Sequence, residues 1–267
     1  MDLKKMLVKI HDTGLNQFFY PLMSVLPEKT RDAGEDFFIL AQGRTGSRLL
    51  AELLNSHDDI YCDKEIFNKT FYLGSGDLFF PMEMLLGKAR FFCKKRYGFK
   101  DKIYQIESQK KLDGTAKLLK DLKYHRFKII YLRRENLFKH VLSNKIANMR
   151  GSYHAYKNME EKEWQKLVLD PNEVIEKMEI RWNYQKREQE ILKQFDHLTF
   201  TYEKDLKDRE AQQKTASRIF RYLGVKDVPV ATRMKKVNTR KNEDLIANYD
   251  EVYEAIKKTP YSIYLDQ

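Results

Sequence analysis

The chain has 267 residues, 42% hydrophobic and 13% aromatic, which excludes a disordered chain and allows one sizeable α/β domain or two small ones. Lys and Arg number 50 against 39 Asp and Glu, a formal net charge of +11, so the favoured ligands are anionic: nucleotide, nucleic acid, acidic polysaccharide or lipid headgroup. Two cysteines, Cys62 and Cys93, exclude a disulfide framework and suit a reducing, cytoplasmic setting, and no run approaches the roughly 18 apolar residues that span a bilayer.

Residues 1–34 read as a helical extension ahead of the domain. The stretch MDLKKMLVKIHDTGLNQFFYPL is amphipathic and lacks a signal-peptide core; packing on the domain is its expected role and a peripheral membrane contact the alternative. FFILAQ (37–42) is a continuous apolar run, as in a strand buried on both faces. A helix follows, with Leu49, Leu50, Leu53 and Leu54 on one face, and ends near 55–57. YGFKDKIYQIES (97–108) is a charged candidate for a further strand. KIIYLRR (128–134) is a clear strand leading into a helix that stops at Gly151. A long helix is predicted from Pro171 to about Phe195, then a strand at 197–202, a helix closed by Gly224, and a last helix over 242–258. Strands alternating with helices predict an α/β, P-loop-like three-layer fold over residues 35–267, with a central parallel sheet flanked by helices.

The sharpest signal is strand–GRTGSR–helix. Glycines allow a tight turn that brings backbone N–H groups to an anion, and the helix start adds unpaired N–H groups and a positive dipole end. Gly43, Arg44, Thr45, Gly46, Ser47 and Arg48 are therefore candidate phosphate-binding residues, against the plainer reading of an ordinary strand-to-helix turn. The nucleotide-triphosphatase pattern needs Gly-Lys-Ser/Thr here; aligned on Gly46, its lysine position holds Ser47 and the next holds Arg48.

Four patches together resemble the 3′-phosphoadenosine 5′-phosphosulfate (PAPS)-dependent sulfotransferases, above all the bacterial carbohydrate type: QGRTGSRLLAELLNSH, KEIFN, YLRRENLFKHVLS and KKVNTRKNEDLIANYDEVYEAIKKT. The resemblance implies transfer of a sulfuryl group from PAPS to a carbohydrate or glycolipid hydroxyl, without a metal. It implies that Arg44 bridges the 5′-phosphate and the sulfuryl group in flight, with Gly46, Ser47 and Arg48 around the phosphate. The 3′-phosphate motif of the family pairs an Arg with a Ser eight residues on; here Ser143 is preceded by Arg134 at nine and Arg133 at ten, and both arginines remain candidates. The family's mobile C-terminal segment corresponds to Lys235, Lys236 and Arg240.

An acceptor hydroxyl must lose its proton as it attacks, so a base must stand near the loop. The resemblance assigns that role to Glu65, which as a base needs a pKa raised by partial burial, as the flanking Ile66 and Phe67 permit, and places Lys100 near the acceptor or sulfuryl group. His57 is the alternative base, with helix capping or surface placement its plainer role; Trp182, Tyr202 and Glu203 fit structural positions. The acceptor pocket is expected among 63–96 and 150–170. Two other classes share the basic surface and the loop: a P-loop kinase, which would need ATP and Mg²⁺, and a nucleic-acid-binding module, for which no motif is present.

Overall fold

The computed structural model describes residues 16–25, 35–68, 77–92, 94–149, 166–234 and 240–265. In chain order the elements are helix α1 (Asn16–Met23), strand β1 (Phe37–Ala41), α2 (Ser47–Asn55), β2 (Ile60–Glu65), α3 (Pro81–Phe91), β3 (Arg96–Asp101), α4 (Ile103–Ser108) and α5 (Thr115–Tyr124). They continue with β4 (Lys128–Arg133), α6 (Leu137–Met149), α7 (Pro171–Leu192), β5 (His197–Thr201), the one-turn α8 (Tyr202–Asp205), α9 (Arg209–Leu223), α10 (Asn242–Leu245) and α11 (Tyr249–Lys257).

The five strands form one parallel sheet in the order β2-β3-β1-β4-β5. Every residue of β1 is buried, as its unbroken apolar run requires when helices cover both faces. Side chains alternate across the sheet. Phe37, Ile39, Ala41, Ile130 and Leu132 join the core under α2 and α9, whereas Phe38, Leu40, Phe99, Ile129 and Tyr131 join the core under α3, α4, α5 and the end of α7. A third cluster unites α6, α7, α10 and α11. The α/β three-layer expectation is therefore met.

Local chemistry sets the helix ends. Asp170 caps α7 by accepting from the Asn172 amide, with Pro171 in the first turn; Asp208 caps α9 through the Ala211 amide, and Gly224 at φ 64° closes it. Helix α1 docks on α3 through the buried Tyr20, and Gly87 makes this approach possible: a Cβ there would stand 1.7 Å from the Tyr20 carbonyl oxygen. Beneath this contact lies a buried ion pair, Lys88 Nζ to Asp63 Oδ2 at 2.8 Å, with Lys88 Nζ 4.6 Å from the centre of the Tyr20 ring.

One sequence expectation is corrected and one is met in part. The last helix, expected over 242–258, is two helices, because Ile246 leaves the helix to bridge Leu167 and the Asn248 side chain bonds both the amide and the carbonyl of Leu169. The charged 97–108 stretch is strand β3 followed by helix α4, and β3 is buried along its whole length because its terminal charges meet partners on β2 and the turn after it. Among the described residues no helix is long and apolar enough to cross a membrane.

The chain leaves β1 toward β2 on one side of the sheet, and leaves β4 toward β5 on the other. Between the carboxyl ends of these two neighbouring strands lies the topological switch point, where open α/β sheets carry their ligand crevice. The 42–47 turn and Arg134 both stand there.

Candidate functional site

The turn from β1 into α2 is held from behind. Thr45 Oγ1 donates to the Gln42 carbonyl at 2.7 Å, and His140 Nε2, 2.6 Å from the Gly43 carbonyl, holds that oxygen as well. Burial pulls the His140 ring well below its ordinary pKa, with Arg181 adding to the effect, so it is neutral and donates from Nε2. Two residues of the turn lie in the left-handed region, Arg44 at φ 71° and Gly46 at φ 87°. For a non-glycine this costs about 1–2 kcal/mol, the kind of strain that accumulates at ligand sites. Gly46 is required twice over, because a Cβ there would also lie 2.7 Å from the Tyr202 ring. With the carbonyls turned inward, the amides of Thr45, Gly46 and Ser47 donate to no other described residue. They open the N-terminus of α2, a nine-residue helix whose first turn carries no acidic side chain.

Cations and a hydroxyl surround this turn. Arg44 Nε donates to Ser143 Oγ on α6 at 3.3 Å, so two of the expected residues meet across the switch point. Arg134 Nη1 donates to the Arg44 carbonyl at 3.4 Å, its guanidinium lies 4.9 Å from the Tyr202 ring centre, and Glu203 approaches its Nε at 3.4 Å. Burial lowers the Arg134 pKa from its ordinary value. Arg133 instead turns to Glu135, at 3.3 Å. The structure thus brings Arg134, not Arg133, to the turn. Glu203 accepts from the Glu135 and Asn136 amides and so fixes the corner that presents Arg134. Arg48 is exposed on α2 and Arg240 is exposed ahead of α10. Lys235 and Lys236 lie outside the described residues.

On the other flank stands Glu65, at the carboxyl end of β2. The parallel register sets it opposite Lys100 on β3, past an irregularity between Cys62 and Glu65. Lys100 Nζ is 2.7 Å from Oε1; Lys102 Nζ and Gln105 Nε2 are each 2.9 Å from Oε2. The Lys102 stem and the Tyr104 hydroxyl lie against Gly43, so this cluster borders the turn directly. Asp101 is buried behind it, one carboxylate oxygen accepting the Ile66 and Phe67 amides and fixing the chain just after Glu65. Burial raises the Asp101 pKa well above the carboxylate range. The expected pKa of Glu65 is corrected. Burial would raise it, but the charges of Lys100 and Lys102 and the hydrogen bonds from Lys100 and Gln105 outweigh burial and bring it to about 2.

For His57 the surface reading is corrected and the capping one stands: its amide donates to the Leu54 carbonyl at the end of α2, and the ring is buried with Nε2 2.8 Å from the Lys226 carbonyl and Nδ1 accepting the Asp59 amide. It is a structural tie, and Trp182 is half-buried on α7 under Lys186.

Sequence reading missed a buried polar layer beneath the turn. Gln42 Nε2 donates to Glu188 Oε2 at 3.2 Å, Tyr131 donates to the same oxygen at 2.9 Å, and Arg181 Nη1 reaches Gln42 Oε1 at 3.4 Å. Burial pushes the Glu188 carboxyl up to about 7, against the opposing hydrogen bonds from Gln42 and Tyr131. The available signal was Gln42 itself, a polar residue ending an otherwise apolar strand. Among the described residues no group of three or more His, Cys, Asp or Glu side chains is placed to hold a metal.

No family model matches the chain, and no curated protein matches it. Among solved structures, the crystal structure of a sulfotransferase from Alicyclobacillus acidocaldarius is similar, with a TM-score of 0.48 and 15% identity over 84% of this chain and 95% of that one.

Proposed function

We propose that the chain is a PAPS-dependent sulfotransferase, transferring a sulfuryl group to a carbohydrate or glycolipid hydroxyl. The observation that carries this reading is the pairing, on the two flanks of one turn, of an anion cradle with Arg44, Arg134 and Ser143 and of a carboxylate held between two lysines.

The residues fit the donor's chemistry. Outward amides and the α2 N-terminus suit the 5′-phosphate, and Arg44 suits the oxygen on which charge builds as the S–O bond breaks. Arg134 and Ser143 suit the 3′-phosphate, a planar fork beside a hydroxyl. Glu65 accepts the proton of the acceptor hydroxyl while the acceptor oxygen bonds to sulfur. The bridging S–O bond breaks, its electron pair staying on the 5′-phosphate oxygen. Tyr104 and Tyr184, with ring centres 5.4 Å apart, stand near Lys102 and offer a wall for an acceptor ring. The kinase alternative gains no support: the lysine and hydroxyl that hold ATP and Mg²⁺ in the triphosphatase turn are Ser47 and Arg48 here.

The test is a calorimetric titration with adenosine 3′,5′-bisphosphate, the desulfated donor, beside ATP with Mg²⁺. Binding of the bisphosphate at least tenfold tighter, unaffected by chelation of divalent ions, is expected. Equal or tighter binding of Mg-ATP overturns the reading.

A further inference from the structure

Glu65 poses a chemical problem. A carboxylate that keeps its charge down to a pH near 2 is a weak base, and two lysines and an amide already occupy both its oxygens. The two lysines differ in placement. Lys100 sits inside β3, its side chain 10% exposed, and the strand register holds it opposite Glu65. Lys102 lies beyond the strand end, its side chain 19% exposed, and its stem crosses Gly43 with Cε 3.5 Å from where a Cβ of that glycine would stand. A lysine ammonium on its four-carbon stem is a rotatable point charge. With the stem resting on Gly43, the ammonium is held beside the turn while it pairs with Glu65.

Resting on the sulfotransferase reading, we propose that Lys102 is a shared cation, which clamps Glu65 in the donor-free enzyme and moves onto the donor's phosphosulfate when it binds, so that Glu65 becomes able to take the acceptor's proton only once the donor is in place. The donor carries more negative charge than one carboxylate and sits where the turn's amides and Arg44 already favour an anion, which gives the ammonium its reason to move. Left with Lys100, Gln105 and the nearby buried Asp101, Glu65 loses one of its two positive neighbours while its burial persists. With that cation gone, burial is less opposed and the hold on the Glu65 charge weakens. Lys102 itself stays charged: burial pulls its pKa down, but Tyr104, Glu65 and Asp101 raise it above the ordinary value. The arrangement also keeps the base quiet while the site lacks its donor.

The test follows the Glu65 carboxyl directly, by carbon-13 NMR of protein labelled at glutamate δ-carbons, with Glu65→Gln assigning the resonance. Wild type alone is expected to show Glu65 ionised from pH 7 down to pH 4. Adding adenosine 3′,5′-bisphosphate to wild type, or replacing Lys102→Met without ligand, is expected to bring its titration into that window, and Lys102→Met should weaken bisphosphate binding roughly tenfold or more. If the bisphosphate binds and the Glu65 titration does not move, the shared-cation proposal fails while the sulfotransferase reading stands. If Lys102→Met leaves the titration of the free protein unchanged, the clamp is refuted. If the bisphosphate does not bind, the sulfotransferase reading fails, and this proposal with it.

Discussion

At the scale of single residues, adjacent arginines with similar sequence credentials have different surroundings. Arg133 and Arg134 alternate across the end of β4, so only one can face the 42–47 turn, and Arg134 does. Arg134→Ala should therefore cut the preference for adenosine 3′,5′-bisphosphate over adenosine 5′-phosphate by roughly ten- to a hundredfold, the value of a charge-assisted hydrogen bond. Arg133→Ala should leave that ratio within about twofold. Isothermal titration of both nucleotides against both variants decides, and the reverse pattern would move the 3′-phosphate to Arg133. The spacing of nine to Ser143 was legible in the sequence, but the pleat that chooses between the arginines was not, because it depends on where the strand stops. Glu65 shows another limit. Its position beside Ile66 and Phe67 suggested burial, and burial is present, but Lys100 and Lys102 reach it only through strand pairing. The electrostatic sign of the site was thus hidden in the register.

At the scale of elements, the strands with unbroken apolar runs were legible, as were the helix ends marked by Pro171 and Gly224. Helices α3 and α5 passed unread, although Leu118, Leu119 and Leu122 of α5 form a buried stripe at helical spacing. In α3 the apolar pattern is blurred, since it buries Lys88 and Gly87 as well as Met84 and Leu85. Gly87 in particular is an unfavourable helix residue whose purpose appears only when α1 is seen resting on it. Two effects compete on substitution. Gly87→Ala gains about 1 kcal/mol of helix propensity. It also sets a methyl within 1.7 Å of the Tyr20 carbonyl, an overlap that backbone must relieve by moving. The overlap should win, displacing α1 and exposing its chain to limited proteolysis ahead of Ser24, with a net loss of about 1–3 kcal/mol in chemical denaturation. An unchanged cleavage pattern with a raised melting temperature would mean that α1 does not rest there.

At the scale of the whole molecule, stability should depend on pH through groups buried around the sheet. Glu188 binds a proton in the folded protein up to about pH 7, whereas a free glutamate loses it near 4.5. Between those values the folded state holds more protons than the unfolded one, so this contribution to stability falls as pH rises and is lost above about 7. Glu65 has the opposite sign: its contribution is present above about pH 4.5 and is lost as pH falls toward 2. His140, held neutral, likewise favours the folded state less as pH falls below its ordinary value, and Asp101 acts in the same sense as Glu188. Comparing wild type with Glu188→Gln isolates one group from the rest. The melting temperature of wild type relative to the variant should decline from pH 5 to pH 8, by up to a few kcal/mol expressed as stability. A constant difference across that range would mean that Glu188 is ionised throughout.

The carbonyls of Gln42 and Gly43 are tied down by Thr45 and His140 before any ligand arrives. A mould already set needs no ordering entropy from its guest, so the turn itself adds no ordering cost to anion binding. Release of a spent guest is then governed by the charges it leaves behind and by neighbouring segments, since the mould itself does not have to melt.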